Sequence, residues 1–238
     1  MSQGDRAWPV AAVVFDYGQT LVTFDYPRAC LLQVLKDVAP WLGPQAPSPE
    51  WLLKNVLEPL EASLADVDEG ELDYFAHYQA GWQGAGQQTP VETLWRIMEL
   101  EQACWARAVR PAPTAYATLR TLRQRGYRLG IASNAPFPPE LLHRQLALNG
   151  FSDLVDAVVF SSEIGKRKPA KELYLAALAK LEVEPGRALY IGDKPREDYH
   201  GPSRAGLDAI ICTELTDLEP PPPIPFIRKL SELLERLP

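Results

Sequence analysis

Residues 10–20 read VAAVVFDYGQT. The first six, Val10–Phe15, are apolar and rich in valine, the composition of a strand buried on both faces. Asp16 follows at once, then Gly18 and Thr20. A buried strand that runs straight into a polar, glycine-containing loop has the form of a ligand-binding edge in an open α/β sheet. Further along, TAYATLRTLRQR (114–125) has helical spacing and stops at Gly126, a natural C-cap. Tyr127–Ala132 reads as a strand closed by Ser133 and Asn134, Pro139–Asn149 as a helix, and Ala157–Phe160 as a strand. Ala170–Lys180 reads as a helix, Ala188–Ile191 as a strand ended by Gly192 and Asp193, 200–205 as a short helix and Ala209–Cys212 as a strand. A last helix is expected near 226–236, after the proline run at 220–225. Strands and helices that alternate over short links predict an α/β fold: a Rossmann-like parallel sheet flanked by helices and joined by right-handed crossovers.

Between the first strand and this alternating region, no segment has the texture of a strand. Pro27–Val38 reads as a helix that the proline-rich stretch 39–49 breaks, and helices follow at 49–63, 70–80 and 90–109. An all-helical domain, 25–109, is therefore expected as an insertion in a core formed by 1–24 and 110–238. The joints fall near 22–26 and 108–113.

Charge divides along the same line. The chain carries 31 acids and 24 bases, a net −7. Residues 25–110 hold 13 acids and 6 bases, and the remainder holds 18 of each, so the imbalance belongs to the insertion. No basic stripe is present, which argues against nucleic acid as a partner. No run of 18 apolar residues exists to cross a membrane, and MSQGDRAWP has no secretory pattern. A cytoplasmic protein, monomer or homodimer, is expected. Cys30, Cys104 and Cys212 are far apart without a CxxC pair, and are expected to form neither a disulfide framework nor a metal knuckle.

Four polar groups follow strands or lie in a loop beside one: Asp16 with Thr20, Ser133 with Asn134, Lys168, and Asp193 with Asp198. The carboxyl ends of parallel strands share one edge, so these groups can converge. Three carboxylates cannot crowd together unpaired, and a Mg²⁺ ion would relieve their repulsion. His77, His143 and His200 do not cluster, and no His/Cys set suggests zinc. Lys168, Ser133 and Asn134 are the donors an anionic oxygen cluster needs, as in phosphoryl transfer, with Asp16 as a possible nucleophile. Most of the bases near these loops, Lys166, Arg167, Lys194, Arg196 and Arg204, read as surface residues.

With these motifs in order, the chain resembles the haloacid dehalogenase-like hydrolase superfamily. FDYGQTL carries Asp16 and Thr20, LGIASN carries Ser133 and Asn134, SSEIGKRKP carries Lys168, and LYIGDKPRED carries Asp193 and Asp198. The insertion resembles the family's type-one helical cap. The resemblance implies an aspartyl-phosphate at Asp16, with catalysis by Asp16, Ser133 and Lys168. It implies substrate binding by Thr20, Ser133, Asn134 and Lys168, and Mg²⁺ held by Asp16, the Gly18 carbonyl, Asp193 and Asp198. The expected substrate is a small phosphorylated metabolite. One position departs from the pattern. Phosphatases of the family usually carry a second aspartate two residues after the first, where this chain has Gly18. Three readings follow: a phosphatase with an acid borrowed from the cap or substrate, a metal-independent 2-haloacid dehalogenase, or a catalytically weak phosphate-ester-binding protein. Glu58, Glu61, Asp73 and His77 are the candidates for a borrowed acid. The cap tryptophans are expected mainly in its core, with one or two free to stack on a ring.

Overall fold

The computed structural model describes residues 9–64, 70–216 and 218–237. Strand β1, Ala12–Phe15, is followed by β2, Val22–Phe24. Helix α1 is Arg28–Leu42, α2 is Pro49–Leu52, α3 is Glu58–Ser63, α4 is Tyr74–Gly84 and α5 is Val91–Ala108. The chain continues through β3, Val109–Pro111, α6, Ala115–Gln124, β4, Arg128–Ser133, and α7, Pro139–Leu148. Next come β5, Ala157–Phe160, α8, Ser161–Ile164, α9, Lys171–Leu181, and β6, Ala188–Gly192. Last are α10, Gly201–Arg204, β7, Asp208–Cys212, β8, Phe226–Ile227, and α11, Leu233–Arg236.

Six strands form one parallel sheet in the order β5-β4-β1-β6-β7-β8. The chain leaves β1 on one side to build β4 and β5, then returns to the other side for β6, β7 and β8. The strand order therefore reverses around β1, the kind of switch point where ligands bind beyond the carboxyl ends of the strands. Val13 and Phe15 enter a core with α6 and α7, while Ala12 and Val14 enter a second core with α9. All four are fully buried, so β1 is uniformly apolar instead of alternating.

Helices fill the described part of the chain between β2 and β3, and they have their own core of Leu31, Leu35, Leu53, Tyr78, Trp82 and Ile97. Leu141 of α7 joins this cluster, so the helical insertion packs directly on the α/β region. Helix α2 starts at Ser48, whose hydroxyl accepts the Trp51 N–H at 3.2 Å, with Pro49 at the first helical position. Between α2 and α3, residues Leu53–Leu57 form a π-helical turn. Such a turn takes one extra residue, so the helix beyond it is rotated by about 100°.

Four expectations need correction. Helix α1 runs on to Leu42 with Pro40 inside its last turn, although a proline there gives up the N–H bond to the carbonyl four residues back. The joints of the insertion contain an antiparallel pair, β2 with β3, too short for sequence pattern to reveal. The expected helix at 226–236 opens instead as β8, which pairs with β7, and is helical only from Leu230 onward. Cys30 and Cys104 form a disulfide, because α1 and α5 pack side by side and bring their Cα atoms to 5.7 Å, within bonding range. Their 74-residue separation hid this from the sequence. Cys212 is a buried free thiol. Among the described residues no helix is long and apolar enough to cross a membrane.

Candidate active site

Neighbouring parallel strands lie about 4.8 Å apart, so the ends of β4, β1 and β6 set Ser133, Asp16 and Asp193 side by side. Asp16 is fixed first. Its backbone N–H donates to Ile191 O at 2.8 Å, and its Oδ1 accepts the Tyr17 N–H and the Ser133 hydroxyl, each at 2.7 Å. The loop beyond it closes tightly, with the N–H groups of Leu21 and Val22 on Tyr17 O and Gln19 in the left-handed region.

Lys168 reaches the site from the loop after α8. Its side chain is fully buried, and Nζ bridges Asp16 Oδ2 at 2.9 Å, Asp198 Oδ1 at 2.7 Å and the Tyr190 hydroxyl at 3.1 Å. Burial alone would depress this ammonium. The charges of Asp16 and Asp198 more than offset it and hold its pKa well above the lysine range. Tyr190 in turn donates to Ala132 O at 2.6 Å, and this anchor had no signal in the sequence beyond its place in an apolar strand.

Asp193 and Asp198 divide the remaining work. Asp198 is fully buried, and its Oδ2 accepts the N–H groups of Asp193 at 3.1 Å and Lys194 at 2.8 Å, while its Oδ1 takes Lys168. A side chain folded back on its own strand end needs a glycine there. A Cβ on Gly192 would lie 2.2 Å from Asp198 Cγ, an impossible approach. Asp193 Oδ1, by contrast, is buried with no hydrogen-bond partner among the described residues. Burial, with the charges of Asp16 and Asp198, pushes the Asp193 carboxyl up to about 7. One carboxylate oxygen from each of Asp16, Asp193 and Asp198 falls within 4.8 Å of the others. An orphaned buried oxygen beside hard oxygen donors, without histidine or cysteine, fits Mg²⁺.

Asp16 borders a cavity of about 340 Å³ at the sheet edge. Asp16, Gly18, Ser133 and Asn134 line it. Two expected substrate ligands are placed differently. Thr20 is 1% exposed with an unpartnered Oγ1 and is not on the cavity wall, and Lys168 lies beneath Asp16 instead of on the wall. Asn134 has a bracing contact besides its place on the wall: its Oδ1 accepts the Lys168 N–H at 2.7 Å.

The insertion supplies the far wall with Glu61, Leu64, Gln102 and Trp105. Trp105 is the tryptophan on the cavity wall; Trp82 is core, and Trp41 and Trp51 are exposed. Arg167 also lines the cavity and pairs with Glu71 of the insertion at 2.9 Å, with both side chains largely buried. Sequence alone places it among mostly surface bases. Its partner is 96 residues away, beyond the reach of any local pattern.

Residues 10–206 match the haloacid dehalogenase-like hydrolase family. The chain belongs to this family. Among curated relatives, the glyceraldehyde 3-phosphate phosphatase of Methanothermobacter thermautotrophicus is 36% identical over 112 residues, 47% of this chain and 49% of that protein. The chain thus spans about half of the length of that relative. Two solved structures share the fold at greater coverage. A HAD phosphatase from Thermococcus onnurineus has a TM-score of 0.64 and 24% identity, covering 94% of this chain and 96% of that one. A 2-haloacid dehalogenase from Pseudomonas syringae pv. Tomato DC3000 has a TM-score of 0.69 and 22% identity, covering 95% and 97%.

Proposed function

We propose that this haloacid dehalogenase-like hydrolase is a Mg²⁺-dependent phosphatase of a small phosphorylated metabolite, working through an aspartyl-phosphate at Asp16, with residues 25–109 as a cap domain. The observation that carries the reading is the unpartnered, buried Oδ1 of Asp193 within the Asp16–Asp193–Asp198 group. A dehalogenase that uses no metal has no need for a third carboxylate held in that state. In this reading Asp16, Asp193 and the Gly18 carbonyl hold the ion, and Asp198, with both oxygens already engaged, positions Lys168 and the Asp193 loop.

Bound Mg²⁺ supplies positive charge that offsets repulsion between Asp16 and a phosphate dianion. The chain does the rest. Ser133 and Asn134 stand on the cavity wall as neutral donors to phosphoryl oxygens. An Asp16 oxygen forms the bond to phosphorus while the bond from phosphorus to the ester oxygen breaks, and that oxygen takes up a proton. Water then attacks the phosphorus, releasing inorganic phosphate and the Asp16 carboxylate. Lys168, 2.9 Å from Asp16 Oδ2, holds this carboxylate in place. The wall residues of the insertion shield the acyl-phosphate from early hydrolysis.

The test is phosphate release across a panel of phosphorylated metabolites. Release that requires Mg²⁺ and disappears in Asp16→Asn supports the reading. Halide release from 2-haloacids that a chelator does not affect replaces it with dehalogenation. Tight binding of phosphate esters without turnover replaces it with a binding role.

A further inference from the structure

We propose that the carboxyl of Glu61, carried on α3 of the helical insertion, is the general acid that protonates the leaving oxygen in place of the side chain missing at Gly18. The proposal rests on the phosphatase reading above and assigns the one role that reading leaves unfilled.

The gap at Gly18 is chemical, not steric. Its backbone is outside the left-handed region, and a Cβ there would meet nothing nearer than Phe24 Cε2 at 3.7 Å, an ordinary contact. A Cβ is accommodated there, so the backbone does not require the glycine. The proton must then come from another acid on the wall of the same cavity.

Among the described residues three acidic side chains line it: Asp16, Glu61 and Glu197. Asp16 is the nucleophile. Glu197 is engaged by Lys194 at 3.7 Å and by the Asn134 amide at 3.4 Å. Glu61 is half-buried and makes no hydrogen bond or ion pair among the described residues. The other candidates from the insertion are occupied. Glu58 pairs with Arg28 at 3.5 Å, Asp73 caps α4 by accepting the Ala76 N–H, and His77 contacts Ser63 Oγ at 2.9 Å.

The local fold explains how Glu61 reaches the cavity. The π turn at Leu53–Leu57 resets the helical phase, so that Leu60 packs into the insertion's core while the next residue faces the cavity. The buried Glu71–Arg167 pair and the Glu71 N–H on Gly165 O at 3.2 Å hold the insertion against the α/β region beside this wall. Glu61 therefore lines the same cavity as Asp16.

Its surroundings suit an acid. Leu64, Phe24 and Trp105 make much of the nearby wall apolar. Burial raises the Glu61 carboxyl to about 7, so it holds a proton near neutrality. Among the described residues the ionisable groups whose titration its charge shifts are Tyr26, Tyr74 and Glu101, all of the insertion. In the step, the Glu61 O–H bond breaks as the leaving oxygen gains the hydrogen. The resulting Glu61 carboxylate takes a proton back from the water that attacks the acyl-phosphate. The cycle is balanced without a further reagent.

The experiment compares two esters with Mg²⁺ present. p-Nitrophenyl phosphate expels a stable phenolate and gains little from protonation, whereas glycerol phosphate expels an alkoxide and depends on it. Glu61→Gln is expected to lose about 10²- to 10⁴-fold in kcat/KM on the alkyl ester and less than about tenfold on the aryl ester. Adding Gly18→Asp to Glu61→Gln is expected to restore much of the alkyl activity. Equal losses on both esters, or no loss on the alkyl ester, overturn the proposal. The wild-type enzyme provides a measurement that does not depend on a variant folding. Across a series of leaving groups, a shallow dependence of kcat/KM on leaving-group basicity supports an acid at work, and a steep one overturns it. Failure of the phosphatase reading looks different: the wild type then releases no phosphate from either ester.

Discussion

Replacing Lys168 with methionine removes the cation at the base of the site while nearly keeping its volume. The wild-type ammonium has no exposed surface and lies 2.7 Å from Asp198, 2.9 Å from Asp16 and 3.1 Å from the Tyr190 hydroxyl. Without it, two buried carboxylates repel each other and Asp198 Oδ1 loses its donor. Breaking a buried ion pair by removing one partner costs about 3–5 kcal/mol, much more than the under 1.5 kcal/mol typical of a volume-conserving swap. At about 2–4 °C per kcal/mol for a chain of this size, Lys168→Met should lower Tm by about 6–20 °C at neutral pH. A second change, Asp198→Asn, removes one of the stranded charges. The double variant should therefore be more stable than the additive sum by about 1 kcal/mol or more. Calorimetry of the four proteins measures both quantities, with circular dichroism confirming the fold. A Tm for Lys168→Met within about 3 °C of wild type, or strict additivity in the cycle, would refute the view that this lysine holds the carboxylates together.

The Cys30–Cys104 bond closes a loop of 74 residues, so its loss should cost about 4 kcal/mol by the chain-entropy relation. Reduction, or Cys30→Ser, should lower Tm, and the unreduced denatured protein should titrate one thiol, from Cys212; three thiols without reductant would show that the bond is absent. Glu101 is buried, accepts the Tyr78 hydroxyl at 2.9 Å and has its carboxyl raised to about 8, first by burial. Its folded pKa lies above its unfolded one, near 4.5, so the native state binds the extra proton and stability falls as pH rises between these values. Glu101→Gln should flatten that slope in melts from pH 5 to 8, and an unchanged slope would place the titration elsewhere. Gly192→Ala drives a methyl group into Asp198, and should cost about 3 kcal/mol or more and abolish phosphate release. A fully active alanine variant would mean that Asp198 can move without harm to the site.

Local sequence was sufficient for the framework. Val10–Phe15, Ala157–Phe160 and Ala188–Gly192 are apolar runs of strand length, and each lies where the pattern put it, because a strand covered on both faces needs an uninterrupted apolar stretch. Asp16, Ser133, Asn134, Lys168, Asp193 and Asp198 were legible for a related reason. The carboxyl ends of parallel strands must share an edge, so polar residues placed just after the apolar runs, or in a loop beside one, are brought together by topology alone. The family motifs and the order of the elements followed from the same residues.

Tertiary structure decided what depends on side-chain direction and on distant partners. Periodicity reports that a helix is amphipathic, not which neighbour covers it. Four acidic or ionisable candidates on the insertion therefore looked alike until packing left Glu61 alone on the cavity wall. The same limit hid the Cys30–Cys104 bond, the Arg167–Glu71 pair and the strand at Phe226–Ile227, each formed with a partner remote in sequence or by a segment too short to show a period. It also separated the roles of two adjacent-looking acids: only the folded loop shows that Asp198 spends its oxygens on Lys168 and backbone N–H groups while Asp193 keeps one free. Sequence determined which chemical groups reach the edge of the sheet, because that is set by local polarity along each strand. Their division of labour was decided by contacts that exist only once the chain has closed on itself.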